Sequence, residues 1–300
     1  MRRILMTILV ANALALGPSG AIAKEDAQPG ADGVKVGKMS SLRNLVPETQ
    51  LEAQALQQYT GMKTQAQQQG ALGSDHHPQV VRLRAIAGRL IPYAQRWNAH
   101  AAQWQWEVNL IGSKQINAFC MPGGKIAFFS GILDTLKLTD DEIAIVMGHE
   151  MAHALREHGR ERAAKSALTS MGAKVAGIGL SALLGIDSHL TSAAAGGVAN
   201  LTLLKFSRED ETEADLVGLD IAARAGYDPR AGIALWQKMA IVDKGAPPQW
   251  LSTHPGGQNR IAEIRRHLPE VMPLYARSKG RSPGALPPYQ GNVKQIAPIE

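Results

Sequence analysis

The element that most restricts this chain is His149-Glu150-Met151-Ala152-His153, which lies inside a run with helical apolar spacing. Thr139-Asp140-Asp141-Glu142 supplies an N-cap with an acid three residues on, and Ile143, Val146 and Met147 follow at helical intervals, so a long helix is expected from residue 140 to about 164. Histidines four apart are separated by about 400° of helical rotation, so both imidazoles leave nearly one face and can serve one ion, with Glu150 beside them. The neighbours Ile145, Val146, Ala152 and Leu155 are apolar, which favours a buried face over a solvated one. Two such nitrogens suit zinc, which takes a third protein ligand and keeps one position open in reactive sites. A zinc ion makes water acidic, and Glu150 stands where a general base would take the proton near neutral pH.

The third ligand separates the classes of zinc site that share this pair. Metzincins have a glycine three residues after the second histidine and a further histidine six after; Arg156 and Gly159 occupy those positions here. A glutamate from a later helix is the remaining common solution. Ser207 caps such a helix, and Glu211 and Asp215, four apart, share a face with Gly218 and Ala222, whose small side chains permit close approach to the first helix. Glu211 is therefore the expected metal ligand, and Asp215 the carboxylate that orients a metal-binding imidazole through its other ring nitrogen. Glu213 points roughly away, and Glu209 and Asp210 fit a helix start favoured by the macrodipole. His76-His77 and Glu157-His158 are not at productive spacing for this site and read as surface residues.

The remaining chain supplies a mainly helical α+β setting. Met1-Arg2-Arg3, the apolar run from Ile4 to Leu16 and Ala21-Ile22-Ala23 have the order of a secretory signal peptide, with cleavage expected after Ala23. Residues 24–40 read as a linker, 41–270 as one domain and 271–300 as a flexible, Pro-rich tail. Helices are expected from Pro47 to Gln69 and from Pro78, the latter carrying Val81, Leu83, Ile86 and Leu90. Short β-branched and aromatic runs between Trp104 and Ser130, broken by Gly112 and Pro122-Gly123-Gly124, predict a small antiparallel sheet. The stretch 175–204 has one formal charge, Asp187, near its middle; each uncharged half is shorter than the roughly 20 residues that span a bilayer, so an apolar hairpin or cover is expected. Cys120 is the only cysteine, which excludes an internal disulfide, and flanking Phe119 and Met121 make it a small apolar residue rather than a reactive thiol. The formal charge of +6 is spread along the chain, and no basic-aromatic alternation suggests a nucleic-acid partner.

Asn117-Ala118-Phe119 with Pro122-Gly123-Gly124, His149-Glu150-x-x-His153, Glu211-x-x-x-Asp215 after Ser207-Arg208, and Ser252-Thr253-His254-Pro255 followed by Arg260 together resemble the gluzincin metallopeptidases. That group includes the CAAX prenyl endopeptidase, HtpX, the mitochondrial peptidase Oma and the periplasmic BepA and LoiP. The resemblance covers about residues 41–270, and the periplasmic branch is the nearest. It implies a zincin-type domain with one zinc per chain and endoproteolysis of misfolded or misassembled cell-envelope proteins in the periplasm. It also implies association with membrane or with outer-membrane assembly machinery. Asn117, Ala118 and Phe119 would form the cleft-edge strand on which an extended substrate lies. His254 would stabilise the oxyanion or, without substrate, occupy the open metal position; Arg260 would pair with Asp215 or another cleft carboxylate. The alternative is a chaperone-like binding module whose zinc site is latched and largely inactive. The chain lacks the lipoprotein cysteine of some members and the tandem helical repeats that follow the domain in BepA.

Overall fold

The computed structural model describes residues 32–177, 205–242, 249–254 and 259–299. The expected signal peptide and the greater part of the expected apolar hairpin, residues 178–204, lie outside them, as does Pro255. The described residues are mainly helical with one small sheet.

Strands β1 (Glu107–Ile111), β2 (Ala118–Met121) and β3 (Lys125–Phe129) form the sheet, in the order β1-β3-β2. The sheet is mixed rather than wholly antiparallel: β2 pairs antiparallel with β3, but β1 pairs parallel with β3. The reason lies in the β2–β3 turn. Gly123 and Gly124 both take φ +78°, a region that costs glycine little, and the turn folds β3 back between β2 and β1. A side chain on Gly124 would also meet the Trp106 ring at 2.8 Å. The strand alternation then separates two faces. Ile126 and Phe128 join the main core, whereas Ala127, Phe119 and Met121 pack with Ala55, Tyr59 and Ala66 of α1 (Glu48–Gln68). Tyr59 donates its hydroxyl proton to the Ile126 carbonyl at 2.5 Å, which fixes α1 across the sheet.

Helix α2 (Pro78–Leu90) begins at a first-turn proline, with the His77 ring accepting from the Gln79 N–H. Its inward stripe is Val80, Leu83, Ile86, Ala87 and Leu90; Val81, expected inside, is about half exposed because Val80 holds the position three before Leu83. Helix α3 (Ser130–Leu136) leads to α4 (Asp140–Leu155), whose start carries the expected capping box between Thr139 and Glu142. Helix α4 is buried from Glu142 to Leu155 and packs between the sheet and later helices. It does not run on to residue 164. Glu157 takes φ +56°, ending the helix, and α5 (His158–Gly177) starts in a new direction.

Ser207 and Asp210 form the capping box of α6 (Arg208–Arg224), which ends before Gly226 at φ +82°. Helices α7 (Ala231–Val242), α8 (Gln249–Thr253) and α9 (Arg260–Ser278) complete the helical layer. Both ends of the described chain dock on this body. Val34, in the expected linker, is buried, and Asp32 binds Arg224 and Arg277. In the segment expected as a tail, the last turns of α9 continue to Ser278, and Tyr289, Ile296 and Ile299 join the core. Their apolar side chains gain more by burial there than a solvated tail would allow.

Candidate metal centre

Helices α4 and α6 make the most extensive helix contact, and glycine sets it. A Cβ on Gly218 would stand 2.7 Å from the His149 nitrogen, so the backbones touch where the H-E-x-x-H turn meets the Glu211–Asp215 face. His149, His153, Glu211 and His254 consequently converge, each buried, with one ligand-capable atom apiece inside a 4.8 Å cluster. His149 Nε2 and His153 Nε2 are 3.1 Å apart, and each is 3.5 Å from an oxygen of Glu211. His254 Nδ1 is 3.3 Å from His149 Nε2 and 3.0 Å from Glu211 Oε1. Around a tetrahedral zinc, bonds of about 2.0–2.2 Å put ligand atoms roughly 3.3–3.6 Å apart, so this donor set suits that ion in chemistry, and its separations of 3.0–3.5 Å lie within a few tenths of an ångström of that spacing. Among the described residues this is the group able to hold a metal.

Electrostatics prepare the donors. Burial holds the His153 imidazole well below its ordinary pKa, outweighing the nearby Glu211 carboxylate, so its lone pair is available. Burial alone would raise Glu211, but hydrogen bonds with His153 and His254 and the coulombic pull of His149 and His254 hold it below the carboxylate range and ionised. His254 is shifted the other way: burial works against its charge, and Glu150 and Glu211 overturn that and raise it.

Behind the cluster, His149 Nδ1 meets Asp215 Oδ1 at 3.0 Å. Arg260 grips both oxygens of Asp215 and donates from Nη1 to Glu211 Oε2 at 2.7 Å, with its guanidinium over the Trp236 ring at 4.3 Å. Asp215, which burial would raise, is held low by Arg260 and His149. The expected positions of Asp215 and Arg260 are thus brought together with the cluster.

Glu150 faces the cleft next to the donors. Its Oε1 accepts the Trp250 indole N–H at 2.7 Å and is 3.6 Å from His254 Nε2. Asn117, Ala118, Phe119, Cys120 and Met121 line a cleft of about 360 Å³ with Glu150, His153, Phe206, Thr253 and His254. Among the described residues β2 pairs within the sheet only with β3, and its residues Ala118 to Met121 line this cleft. A second hollow of about 520 Å³ shares Cys120, Met121, His153 and Phe206 and continues towards Leu51 and Trp104.

Four contributors were not singled out from sequence. Trp250 lies four residues before His254, a helical spacing that could have flagged it. Phe206 stacks on His153 with centroids 3.9 Å apart, a contact without a local sequence signal. His158, expected at the surface, is buried: its Nδ1 is 2.9 Å from His153 Nδ1 and its Nε2 is 3.2 Å from Glu213 Oε2. Glu213 points away from the donor cluster, as its helical phase requires, and towards His158 and Arg156. On a continuous helix His158 would sit about 140° from His153; the break at Glu157 brings it back.

The family profile described as peptidase family M48 matches residues 79–268. The chain is 39% identical over 183 residues to metalloendopeptidase OMA1 of Danio rerio, covering 57% of this chain and 37% of that protein. It is 31% identical over 243 residues to mitochondrial metalloendopeptidase OMA1 of Saccharomyces cerevisiae, covering 75% and 66%. With the beta-barrel assembly-enhancing protease of Escherichia coli it shares 30% over 193 residues, covering 60% and 38%. The chain therefore spans between about a third and two thirds of the length of these curated relatives. The match takes in the capped α4 helix, the α6 acids and Arg260. On the profile match and these identities, the chain belongs to peptidase family M48.

Proposed function

We propose that this protein is a zinc-dependent endopeptidase acting on misfolded or misassembled proteins of the cell envelope. The observation that carries the reading is the buried convergence of His149, His153 and Glu211 beside Glu150 on a cleft lined by strand β2. His149, His153 and Glu211 would hold the ion. Zinc, when bound, supplies a Lewis acid that polarises a carbonyl and makes water acidic.

Glu150 acts as the general base, taking the proton of the attacking water and passing it to the departing amine. The Trp250 N–H engages Oε1 and holds the carboxylate in one plane, leaving Oε2 to receive the proton. The outer edge of β2 would align an extended peptide by main-chain hydrogen bonds, which read backbone more than side chains and give broad specificity. Names of relatives point to both mitochondrial and β-barrel-assembly settings; the signal peptide expected from residues 1–23 supports a periplasmic one for this chain, with unfolded or misassembled proteins as substrates and outer-membrane assembly machinery as the associated partner. Among the described residues no helix is long and apolar enough to cross a membrane.

One observation favours a second reading, a latched site in a chaperone-like module. His254 Nδ1 stands within hydrogen-bond distance of two donors in the cluster, where a fourth ligand would be. Cleavage of unfolded casein by the purified protein and by Glu150→Gln separates the two. Proteolysis by the wild type that the substitution removes supports the enzyme; suppression of aggregation by both proteins, with cleavage by neither, supports the module.

A further inference from the structure

His153 presents Nε2 to the donor cluster, so a metal can bind there only if the ring carries its proton on Nδ1. That Nδ1 faces the Nδ1 of His158 at 2.9 Å, and two ring nitrogens at that distance share a single proton. The far nitrogen of His158, Nε2, is 3.2 Å from the carboxylate of Glu213, which can only accept. With both rings neutral, one assignment satisfies both contacts. His153 Nδ1–H donates to His158 Nδ1, and His158 Nε2–H donates to Glu213. The opposite order would put the His153 proton on Nε2, in the donor cluster, and leave two acceptors facing each other at Glu213.

We infer that His158 is a positioning residue of the metal centre: as an acceptor at Nδ1 it fixes His153 in the tautomer and ring orientation that offer a bare Nε2 to the ion. The inference rests on the metal-site reading given above. The far end of the chain is anchored as firmly as the near end, since Glu213 Oε1 receives the Arg156 Nε–H at 2.6 Å. The two metal histidines therefore have matched supports. His149 reaches an arginine-held carboxylate directly, through Asp215 and Arg260, and His153 reaches one through an interposed imidazole, through Glu213 and Arg156. All three acids come from one face-to-face alternation on α6: Glu211 towards the donors, Glu213 towards His158, Asp215 towards His149. The left-handed residue Glu157 is what makes the relay reachable from His153 five positions earlier, and its carboxylate is tied to Arg43 and Arg160 at 2.8 Å each.

The test compares zinc-loaded wild type with His158→Leu and His158→Asn. Zinc affinity is read by competition with a chromophoric chelator, and ring protonation by ¹⁵N NMR of histidine-labelled protein. His158→Leu removes the acceptor, and its affinity should fall about 10–100-fold, the usual effect of losing a hydrogen-bond partner of a metal-bound histidine. Asparagine places its side-chain oxygen where His158 Nδ1 was, so His158→Asn should recover most of that loss. In the wild type, His158 should carry its proton on Nε2 and His153 on Nδ1. A His158 protonated at Nδ1 overturns the inference without any variant having to fold. Equal zinc affinity in all three proteins, or an Asn variant as weak as the Leu variant, also overturns it while leaving the metal centre standing. A wild type that binds no zinc overturns the metal-site reading itself.

Discussion

Gly148 on α4 and Gly218 on α6 face each other where the two helices cross: a Cβ on Gly148 would stand 2.8 Å from the Gly218 carbonyl oxygen, and one on Gly218 would stand 2.7 Å from the His149 nitrogen. Backbone, not a flexible side-chain tip, is what the added atom would meet, so the helices would have to separate. Gly218→Ala should destabilise the protein by about 1–3 kcal/mol, the common cost of overpacking, despite alanine's better helix propensity. Because the separation moves Glu211 away from His149, zinc affinity should fall as well. Thermal denaturation and a zinc titration check the two effects; an unchanged or raised melting temperature would contradict the packing argument.

Glu150→Gln keeps the shape of the side chain and can still accept from Trp250, but it cannot take a proton. Turnover should drop by about 10²-fold or more with zinc content unchanged. Single-turnover cleavage of a fluorogenic peptide, alongside metal analysis of the same sample, measures both. Near-normal turnover would remove Glu150 from the chemistry.

Arg260 serves three partners at once: Asp215, Glu211 and the face of Trp236. Arg260→Lys preserves the charge but has neither the planar fork nor the reach for two carboxylates. Zinc affinity should weaken about tenfold or more, as for other losses behind a metal ligand. A competition titration giving the wild-type value would show that the charge alone suffices.

Glu107 at the head of β1 provides a pH signature away from the centre. Burial would raise its carboxyl, but hydrogen bonds from Lys63 and Asn109 overturn that and hold it below the ordinary value. A carboxyl lowered in the folded state adds stability above its unfolded pKa of about 4.3 and loses it as pH falls through the folded value. The pair is partly exposed, so Lys63→Met should cost less than about 1 kcal/mol at pH 7, and the gap should narrow as pH falls below about 4.3. Urea denaturation at pH 7 and at pH 3.5 reads the difference. A gap that widens in acid would contradict the assignment.

The sequence revealed the centre more completely than its surroundings. The His149–His153 pair and the Glu211–Asp215 face follow from helical phase, which depends only on spacing within one element, and small residues at Gly218 and Ala222 signalled the close approach. What could not be read depends on how separate elements meet. His158 joins the site only because Glu157 breaks the helix, and nothing in Arg156-Glu157-His158 announces a left-handed residue. The parallel pairing of β1 with β3 depends on which side of β2 the hairpin returns, which strand alternation does not encode. Val80 and Val81 are chemically alike, so only the first inward position of α2 differs from the expectation, and Leu83, Ile86 and Leu90 are buried as expected. Tyr289, Ile296 and Ile299 are too widely spaced among Pro and Gly to show the periodicity of a packed element, yet each finds a place in the core.

The most direct test of the account is the zinc content of the purified wild type and of Glu211→Ala, measured by atomic emission after exhaustive dialysis. With His149, His153 and Glu211 as the ligands, the wild type should retain about one zinc per chain and the variant should lose most of it. A wild type without zinc, or a Glu211→Ala protein that keeps its full complement, would contradict the central claim.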